Sequence, residues 1–543
     1  MLIQSEQLAS QYRDNSAREY VNSANVVFVI LILASIYVRL IDIGYNTLFL
    51  DEAIYVTVGN EVLNQNFDQN AISWMFGSYL FPITATVANY IGGEVGVRIL
   101  SVLLNMVAIV AVYLAARRLF GSVVAALTLI LFAFNGPNIS LAQQAVYDGM
   151  SVMFLAVALC FGIYAATATE RQHIRSLLVA MGVAFTFSIL AKYISLLYAP
   201  ALFGVVFGIR IVKARSIAKF FWQMDWVYAF LPILLIFGTY VIVQFNDLQT
   251  VFTGQYASQK SPRLDILIAI INDIGIISLI AILGMVMLIF SQYRYLMTKT
   301  KLMRGIYVLL FTSIFSSFWL LPLYHFVTSN ARSLYKHEVF ALVFLCPVAA
   351  YGIYTFVQYL SPTTTTPVSS TVRFGKNVII MAIGVVLWLN GQFGLAQHYQ
   401  YQYSWPTAQG VVSFLQQQPI NSETRILGSA SAIYEYYLGM TIEETRKIWV
   451  NIWYVNFFGL QGVDAIKVAI DTCQFDYIIT DNYYATTIDK IIEVSVQSNP
   501  FYELVYSDTQ QLRINALTTI KVYQLHPEHT CYATSFESSL RSS

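Results

Sequence analysis

The residues best suited to acid or base chemistry form an acidic pair, Asp51 and Glu52, in the segment YNTLFLDEAIYVTVG (45–59). No Lys or Arg occurs from residue 44 until Arg98. Such a carboxylate could act as a general base, accepting a proton from a hydroxyl or amine that attacks a reactive carbon. Alternatively, both acids could complement the dipole of a helix that begins at Ala53. The spacing leaves both interpretations open.

Two further candidates lie farther along the chain, Asp148 in AQQAVYDGMSVMF (142–154) and Lys192 in LAKYISLLYAP (190–200). Asp148 is predicted to be a second acid of the site or the N-cap of the helix that follows, and the two roles are compatible. Lys192 could bind a lipid phosphate, or it could extend along a helix end to place its ammonium group at the membrane surface.

A cationic and aromatic cluster occurs in YHFVTSNARSLYKHEVF (324–340), where it comprises Arg332, Tyr335, Lys336 and His337. Cations in this arrangement suit a phosphate leaving group, whose negative charge grows as its bond to a sugar breaks. The alternative is ordinary anchoring at the membrane interface.

The composition shows which kind of protein must position these residues. Charged residues make up 11% of the 543 residues and hydrophobic residues 57%, whereas a soluble protein carries about 25% charged residues. A soluble protein is thereby excluded, and the net charge of +1 excludes nucleic acid as a partner. The four cysteines show no zinc-binding spacing, so no metal site is predicted.

Eleven apolar runs are predicted to cross the membrane, since each is close to the length that spans about 30 Å of hydrocarbon. The stretch from Trp74 to Ile91 contains Gly77 and Pro82 and is predicted to be an interfacial helix instead. The eleven runs lie near residues 25–43, 95–116, 122–137, 150–168, 176–191, 194–209, 226–244, 266–290, 305–323, 339–358 and 378–396.

The loop charges predict the orientation, because Lys and Arg accumulate in short cytoplasmic loops. With residues 1–24 in the cytoplasm, sixteen basic residues fall inside and seven fall outside or at outer helix ends. The first span is expected to be an uncleaved anchor in the cell membrane, because the segment before it is long and acidic. Residues 25–403 then form the transmembrane domain, and residues 44–94 form an outer loop that carries the acidic pair.

The last part of the chain, residues 404–543, is predicted to be an extracytoplasmic α/β domain, because short strand-like runs alternate with helical ones. Cys473 and Cys531 both lie in this domain, so they could form a disulfide or remain free thiols. The predicted strands are 425–430, 475–481, 502–507 and 520–525, and the predicted helices are 433–438 and 463–470.

The order of these motifs resembles the glycosyltransferases that use polyprenyl-phosphate sugars, namely the protein mannosyltransferases, the lipid A aminoarabinose transferases and their bacterial relatives. The shared features are the DE pair, a segment YLFPITATVANYIGGEVGVRILSVLLNMVAIVAVYLAARRLFG (79–121), the loop acid Asp148, AKY (191–193) and KHEVFALVFLCP (336–347). The resemblance covers most of residues 25–400, and the span ending ARRLFG is its most recognisable part.

The resemblance implies an all-α polytopic membrane fold of the GT-C type and an inverting transfer of sugar from a lipid phosphate on the outer face. It implies that Asp51 matches the loop acid, Asp148 the second acid and Lys192 the junction lysine of the family. The acceptor would be a glycan, a lipid or a protein. We therefore predict a catalytic group of Asp51, Glu52 and Asp148, and a donor-phosphate group of Lys192, Arg332, Tyr335, Lys336 and His337.

The sequence also departs from the family pattern. SWMFGSYLFP (73–82) stands where relatives often have a His-Pro-Pro-like motif, and Val339 and Phe340 replace an aromatic residue after the cationic pair. No DxD occurs in the first loop and no WWD-like motif in the last domain, so no obligatory metal or cofactor is predicted. The alternatives are a non-catalytic transporter or flippase of lipid-linked glycans and an O-antigen ligase or polymerase. A flippase would be expected to place ionisable groups in the middle of the membrane.

Overall fold

The computed structural model describes residues 15–65, 71–214, 220, 222–253, 260–297, 300–331, 333–359, 370–439, 448–452, 455–457, 459–513 and 516–526. The chain separates into two compact units. The first unit comprises Met1–Ile43, Gln69–Phe81 and Val95–His398. The second unit comprises Gly44–Asp68, Pro82–Glu94 and Tyr399–Ser543.

The first unit is built from helices, as the long apolar runs predict. Short π-helical turns at Ile233–Phe237 and Ile271–Gly275 connect some of them. The helices are Asn15–Leu40, Ala71–Met75, Leu80–Phe120, Ser122–Ala133, Gly136–Gln143, Tyr147–Thr167, Arg171–Ala191, Tyr193–Tyr198 (3₁₀), Ala199–Ala214, Val227–Pro232, Gly238–Val243, Phe245–Thr253, Arg263–Ile270, Ile276–Met297, Lys301–Thr328, Leu334–Tyr359 and Ser370–Gln402. Two of these helices also include residues of the second unit, namely Pro82–Glu94 and the residues from Tyr399 onward.

Glycines shape the longest of these helices. Leu80–Phe120 kinks at Gly92 and Gly93, where Gly93 has φ 59° and ψ −151°, a conformation that residues with a side chain essentially never adopt. The helix ends at Gly121, whose φ of 92° turns the chain into Ser122–Ala133. The predicted interfacial helix and the second predicted span are thus joined in one kinked element.

Among the described residues, seven helices are long and apolar enough to cross a membrane, or nine if each of two bent helix pairs forms one span. The bent pairs are Ser122–Ala133 with Gly136–Gln143 and Val227–Val243 with Phe245–Val251. Asn25–Leu40 is a shorter apolar helix. The structure is that of a multi-pass membrane protein, and the count of eleven spans stays a prediction.

The second unit contains a five-stranded mixed sheet with the order β2-β1-β5-β7-β6. Strands β2, β1 and β5 are parallel, β7 is antiparallel to β5, and β6 is antiparallel to β7. The strands are β1 Ile426–Gly428, β2 Trp449–Asn451, β3 Asn456–Phe457, β4 Leu460–Gln461, β5 Tyr477–Thr480, β6 Tyr502–Gln511 and β7 Leu517–Leu525, of which β3 and β4 form a separate pair. The helices are Leu50–Leu63, Gln409–Leu415, Ser431–Leu438, Gly462–Asp471 and Thr486–Ser498.

Side chains that alternate along the strands build two cores, one on each face of the sheet. Leu427 and Ile478 face Gly462–Asp471 and Thr486–Ser498. Ile426 and Ile479 face the other core, which also takes in Leu48 and Ala53 of the outer loop. The loop helix Leu50–Leu63 is therefore part of the α/β unit. Every predicted strand and helix of this domain is present, whereas Gln409–Leu415, β2, β3, β4 and Thr486–Ser498 were not predicted.

The cysteines differ in state. Cys473 is disulfide-bonded, and Cys531, the other cysteine of the predicted domain, lies outside the described residues. Cys160 and Cys346 are free thiols within apolar helices.

Candidate functional site

Four helix ends of the first unit bring together most of the predicted polar residues. Asp148 lies in the first turn of Tyr147–Thr167, and Lys192 directly follows Arg171–Ala191. His337 lies in the first turn of Leu334–Tyr359, and His325 lies in the last turn of Lys301–Thr328. All four side chains are buried, so their charges act in a medium of low dielectric constant.

An ion pair between Lys192 and Asp148 is the centre of this cluster. Lys192 Nζ donates to Asp148 Oδ1, and the two side chains are 6% and 2% exposed. The ammonium group also lies 4.8 Å from the centroid of the Tyr147 ring, a cation–π contact. Its burial excludes the predicted alternative that Lys192 extends to the membrane surface. The predicted N-cap role of Asp148 is also wrong, because Val146 is the N-cap residue and Asp148 pairs with Lys192 instead.

Two histidines extend the cluster as a hydrogen-bonded chain. His325 Nδ1 lies 2.5 Å from the Asn330 carbonyl oxygen, and His325 Nε2 lies 2.7 Å from His337 Nδ1. Because a carbonyl can only accept, His325 Nδ1 carries a proton, and neutral His325 then accepts from His337 Nδ1. The Nε2 atom of neutral His337 is consequently a proton acceptor. It is buried, has no hydrogen-bond partner among the residues that the structure describes, and lies 3.9 Å from Asp148 Oδ1.

The remaining predicted phosphate ligands either lie beside the two histidines or fall outside the described residues. Lys336 is buried, with its Nζ atom 5.9 Å from the centroid of the Tyr335 ring. Tyr335 Oη donates to Gln144 Oε1, which links this helix start to the segment that precedes Asp148. Arg332 lies outside the described residues.

The acidic pair of the first loop belongs to the second unit. The helix begins at Leu50, earlier than the predicted Ala53, so both acids lie in its first turn. Glu52 is fully buried, and its Oε2 atom accepts the backbone N–H of Phe49 at 2.8 Å. This carboxylate therefore caps the helix, whereas the alternative in the sequence analysis predicts only that it complements the helix dipole. Asp51, by contrast, is half-buried.

The Tyr484 hydroxyl is buried and lies in the electrostatic field of Asp51. Burial raises the pKa of Tyr484 well above its ordinary value, and the charges of Tyr483, Asp481, Tyr434 and Asp51 raise it further. The Tyr484 ring packs at 5.8 Å from that of Phe49, the N-cap residue of the acidic helix. Tyr484 thus stays a neutral hydroxyl next to the helix that carries Asp51.

Sequence reasoning missed three contributors to the cluster in the first unit: His325, Tyr147 and Gln144. His325 lies in the segment 324–340 and Tyr147 in the segment 142–154, but no spacing to other residues distinguishes either of them as a site residue. The signal that could have found His325 is a histidine at the end of an apolar span, where an ionisable group is costly.

The described residues contain no group of three or more His, Cys, Asp or Glu that could hold a metal ion. The expectation that no metal is obligatory stays a prediction.

Comparison with known proteins adds a match to a family model over part of the chain and a fold. Residues 75–242 match the family model described as dolichyl-phosphate-mannose-protein mannosyltransferase. No curated protein matches the chain in sequence.

Solved structures resemble nearly the whole chain. ArnT from Cupriavidus metallidurans in the apo state is 14% identical with a TM-score of 0.53, covering 94% of this chain and 98% of ArnT. ArnT bound to undecaprenyl phosphate is 14% identical with a TM-score of 0.51, covering 91% and 97%. The oligosaccharyltransferase AglB from Archaeoglobus fulgidus, in complex with an inhibitory peptide and a dolichol-phosphate, is 11% identical with a TM-score of 0.50, covering 91% and 74%. The predicted fold is therefore confirmed.

Proposed function

Because the chain has the GT-C fold of ArnT and AglB, and residues 75–242 match the mannosyltransferase family model, we propose that it is a membrane glycosyltransferase. It takes a sugar from a polyprenyl-phosphate donor and transfers it to a glycan, lipid or protein acceptor at the outer face of the cell membrane. The donor class is supported by the undecaprenyl phosphate bound to ArnT and the dolichol-phosphate bound to AglB. The charge bias of the loops supports a cytoplasmic N-terminus and an extracytoplasmic second unit.

The observation that carries this proposal is the buried cluster of Asp148, Lys192, His325 and His337 at four helix ends. Lys192 and Lys336 place two buried cations near two helix N-termini, which also favour negative charge. Such groups stabilise a phosphate most strongly when its charge grows, that is, in the transition state. Lys192 and Lys336, assisted by Arg332 and Tyr335, therefore bind the donor phosphate in this proposal.

In the proposed reaction, an acceptor oxygen or nitrogen forms a bond to the anomeric carbon while the bond from that carbon to the phosphate oxygen breaks. The electron pair of that bond leaves with the polyprenyl phosphate, and the acceptor proton passes to Asp51. A carboxylate is too weak a base to deprotonate an alcohol in advance, so proton transfer accompanies bond formation and contributes about 10²- to 10⁴-fold. Attack opposite the leaving group inverts the anomeric configuration.

The test is a transfer assay with the full-length chain in nanodiscs and radiolabelled undecaprenyl-phosphate-linked mannose, glucose and aminoarabinose. Asp51→Asn should fold and lose transfer by at least about 10²-fold. Glu61→Gln removes a carboxylate from the same helix and should keep transfer, which makes it the matched control. Wild-type transfer rates in purified Asp51→Asn would overturn the assignment of the base.

A further inference from the structure

A polar groove of about 570 Å³ opens on the second unit. Its walls come from Gly44, Tyr45, Asn46, Thr47, Glu94, Tyr403, Trp405, Thr407, Gln409, Val412, Ser413, Gln416, Tyr437, Gln510, Gln511 and Leu512. This volume lies within the range of about 300–1,000 Å³ that is typical of small-ligand sites. The groove uses none of the residues proposed to bind the donor phosphate.

Aromatic rings fix one wall of the groove in place. Trp405 Nε1 donates to the Thr47 carbonyl oxygen at 3.0 Å, and Asn46 Nδ2 donates to the Trp405 carbonyl oxygen at 3.0 Å. The Tyr45 ring packs edge-on against Trp405 at 5.6 Å and against Tyr403 at 5.7 Å. A wall held in this way loses little conformational entropy when a ligand binds.

Other residues of the lining offer amide groups that are both donors and acceptors. Gln409, Gln416 and Gln511 line the groove and are exposed. The Gln510 amide, by contrast, is hydrogen-bonded to the backbone of Thr407. Its Oε1 atom accepts from the Thr407 N–H at 2.8 Å, and its Nε2 atom donates to the Thr407 carbonyl oxygen at 2.9 Å. Amide side chains suit hydroxyl groups, which also donate and accept.

The charge of the groove restricts its ligand further. Among the described residues that line it, Glu94 is the one ionisable carboxylate, and it accepts a hydrogen bond from Tyr437 Oη. These lining residues include no Lys or Arg, and Arg513, whose guanidinium lies 4.1 Å from the centroid of the Tyr403 ring, is not one of them. A phosphate or carboxylate group would therefore meet a like charge and no cation of the described lining, which makes an anionic ligand unfavourable.

We propose that this groove binds a neutral saccharide, and that it holds the glycan part of the acceptor. The partly exposed rings of Tyr403 and Tyr437 would contact the apolar C–H faces of sugar rings, while Tyr45 and Trp405 are buried and support the wall from behind. The amides would bond the sugar hydroxyls. Residues 44–47 of its wall lead directly into the helix that carries Asp51. The acceptor role rests on the proposed transferase function, whereas saccharide binding does not depend on it.

Saccharide binding is tested by calorimetry on the full chain in detergent with neutral trisaccharides of mannose, glucose, galactose and N-acetylglucosamine. Ser413→Trp places a large ring in the groove and should raise the Kd of the best probe at least tenfold. Gln417→Trp makes the same change at an exposed residue outside the lining and should leave the Kd unchanged. The double variant Gln409→Ala/Gln416→Ala, which adds no bulk, should also weaken binding. Failure of all four probes to bind, or an unchanged Kd in both groove variants, would overturn the proposal.

The acceptor role has a separate readout. In the transfer assay with the best probe as acceptor, Ser413→Trp should raise the acceptor KM at least tenfold and leave the donor KM unchanged. Lost saccharide binding with an unchanged acceptor KM would overturn the acceptor role. A chain that binds the trisaccharide but transfers no sugar from any donor would refute the proposed function and leave the saccharide site intact.

Discussion

Removal of one partner from the Lys192–Asp148 ion pair should destabilise the first unit strongly. Asp148→Asn keeps the shape of the side chain, so no cavity forms, but Lys192 Nζ loses the carboxylate it is bound to. Because both side chains are at least 94% buried, the ammonium group cannot be solvated instead. Loss of one partner from a buried pair costs about 3–5 kcal/mol of unfolding free energy.

The assay is equilibrium unfolding of the full chain in mixed micelles titrated with SDS, followed by circular dichroism. Arg171→Met is the control, because Arg171 is 53% exposed and its partner Asp225 keeps Arg175 at 3.1 Å. The control should cost less than about 1 kcal/mol. Asp148→Asn/Lys192→Met should recover most of the loss, since it removes the ammonium group that Asp148→Asn leaves without its carboxylate. The reasoning is refuted if Asp148→Asn costs no more than the control, or if the double variant is as unstable as Asp148→Asn.

Three further predictions concern other parts of the chain. Glu52→Ala should lower the unfolding free energy by about 1 kcal/mol because the Phe49 N–H loses its hydrogen-bond acceptor. Glu52→Gln keeps an acceptor oxygen, so thermal unfolding should show that it retains most of this stability. Burial, and then the charge of Asp481, raise the pKa of Asp489 from 3.8 to about 8. The folded chain therefore holds a proton that the unfolded chain has released, and stability should fall as pH rises from about 4 to about 8. In Asp489→Asn the melting temperature should change less with pH over this range than in the wild type. An equal pH dependence in both proteins would contradict the raised pKa of Asp489. In His325→Phe the Nδ1 atom of His337 loses its acceptor, so ¹⁵N NMR of labelled histidines should show a tautomer mixture. An unchanged His337 spectrum would disprove the proposed hydrogen-bond chain.

The site shows which features a sequence can and cannot predict. Asp148 and Lys192 stand out in the sequence because charges are scarce in an apolar chain, yet they are 44 residues apart. Their pairing depends on how Tyr147–Thr167 and Arg171–Ala191 pack together, which no local pattern records. For the same reason the sequence predicts an N-cap role for Asp148. The ion pair with Lys192, a tertiary contact, gives its side chain a different partner.

The strands of the α/β domain were easier to predict than the outer-loop residues that belong to its core. The strands around Ile426 and Ile478 are short apolar runs between turn residues, which is a strong local signal. The assignment of Leu48 and Ala53 to the core of that domain was not predicted. An apolar residue near the membrane can face lipid or pack against protein, and composition does not distinguish these environments.

The most direct test of the central claim is a single-turnover reaction of the wild-type chain with the best undecaprenyl-phosphate sugar and its acceptor. We predict that each sugar transferred releases one undecaprenyl phosphate and that NMR of the product shows the opposite anomeric configuration. An intact donor after incubation with acceptor, or a product that keeps the donor's anomeric configuration, would contradict the proposed mechanism.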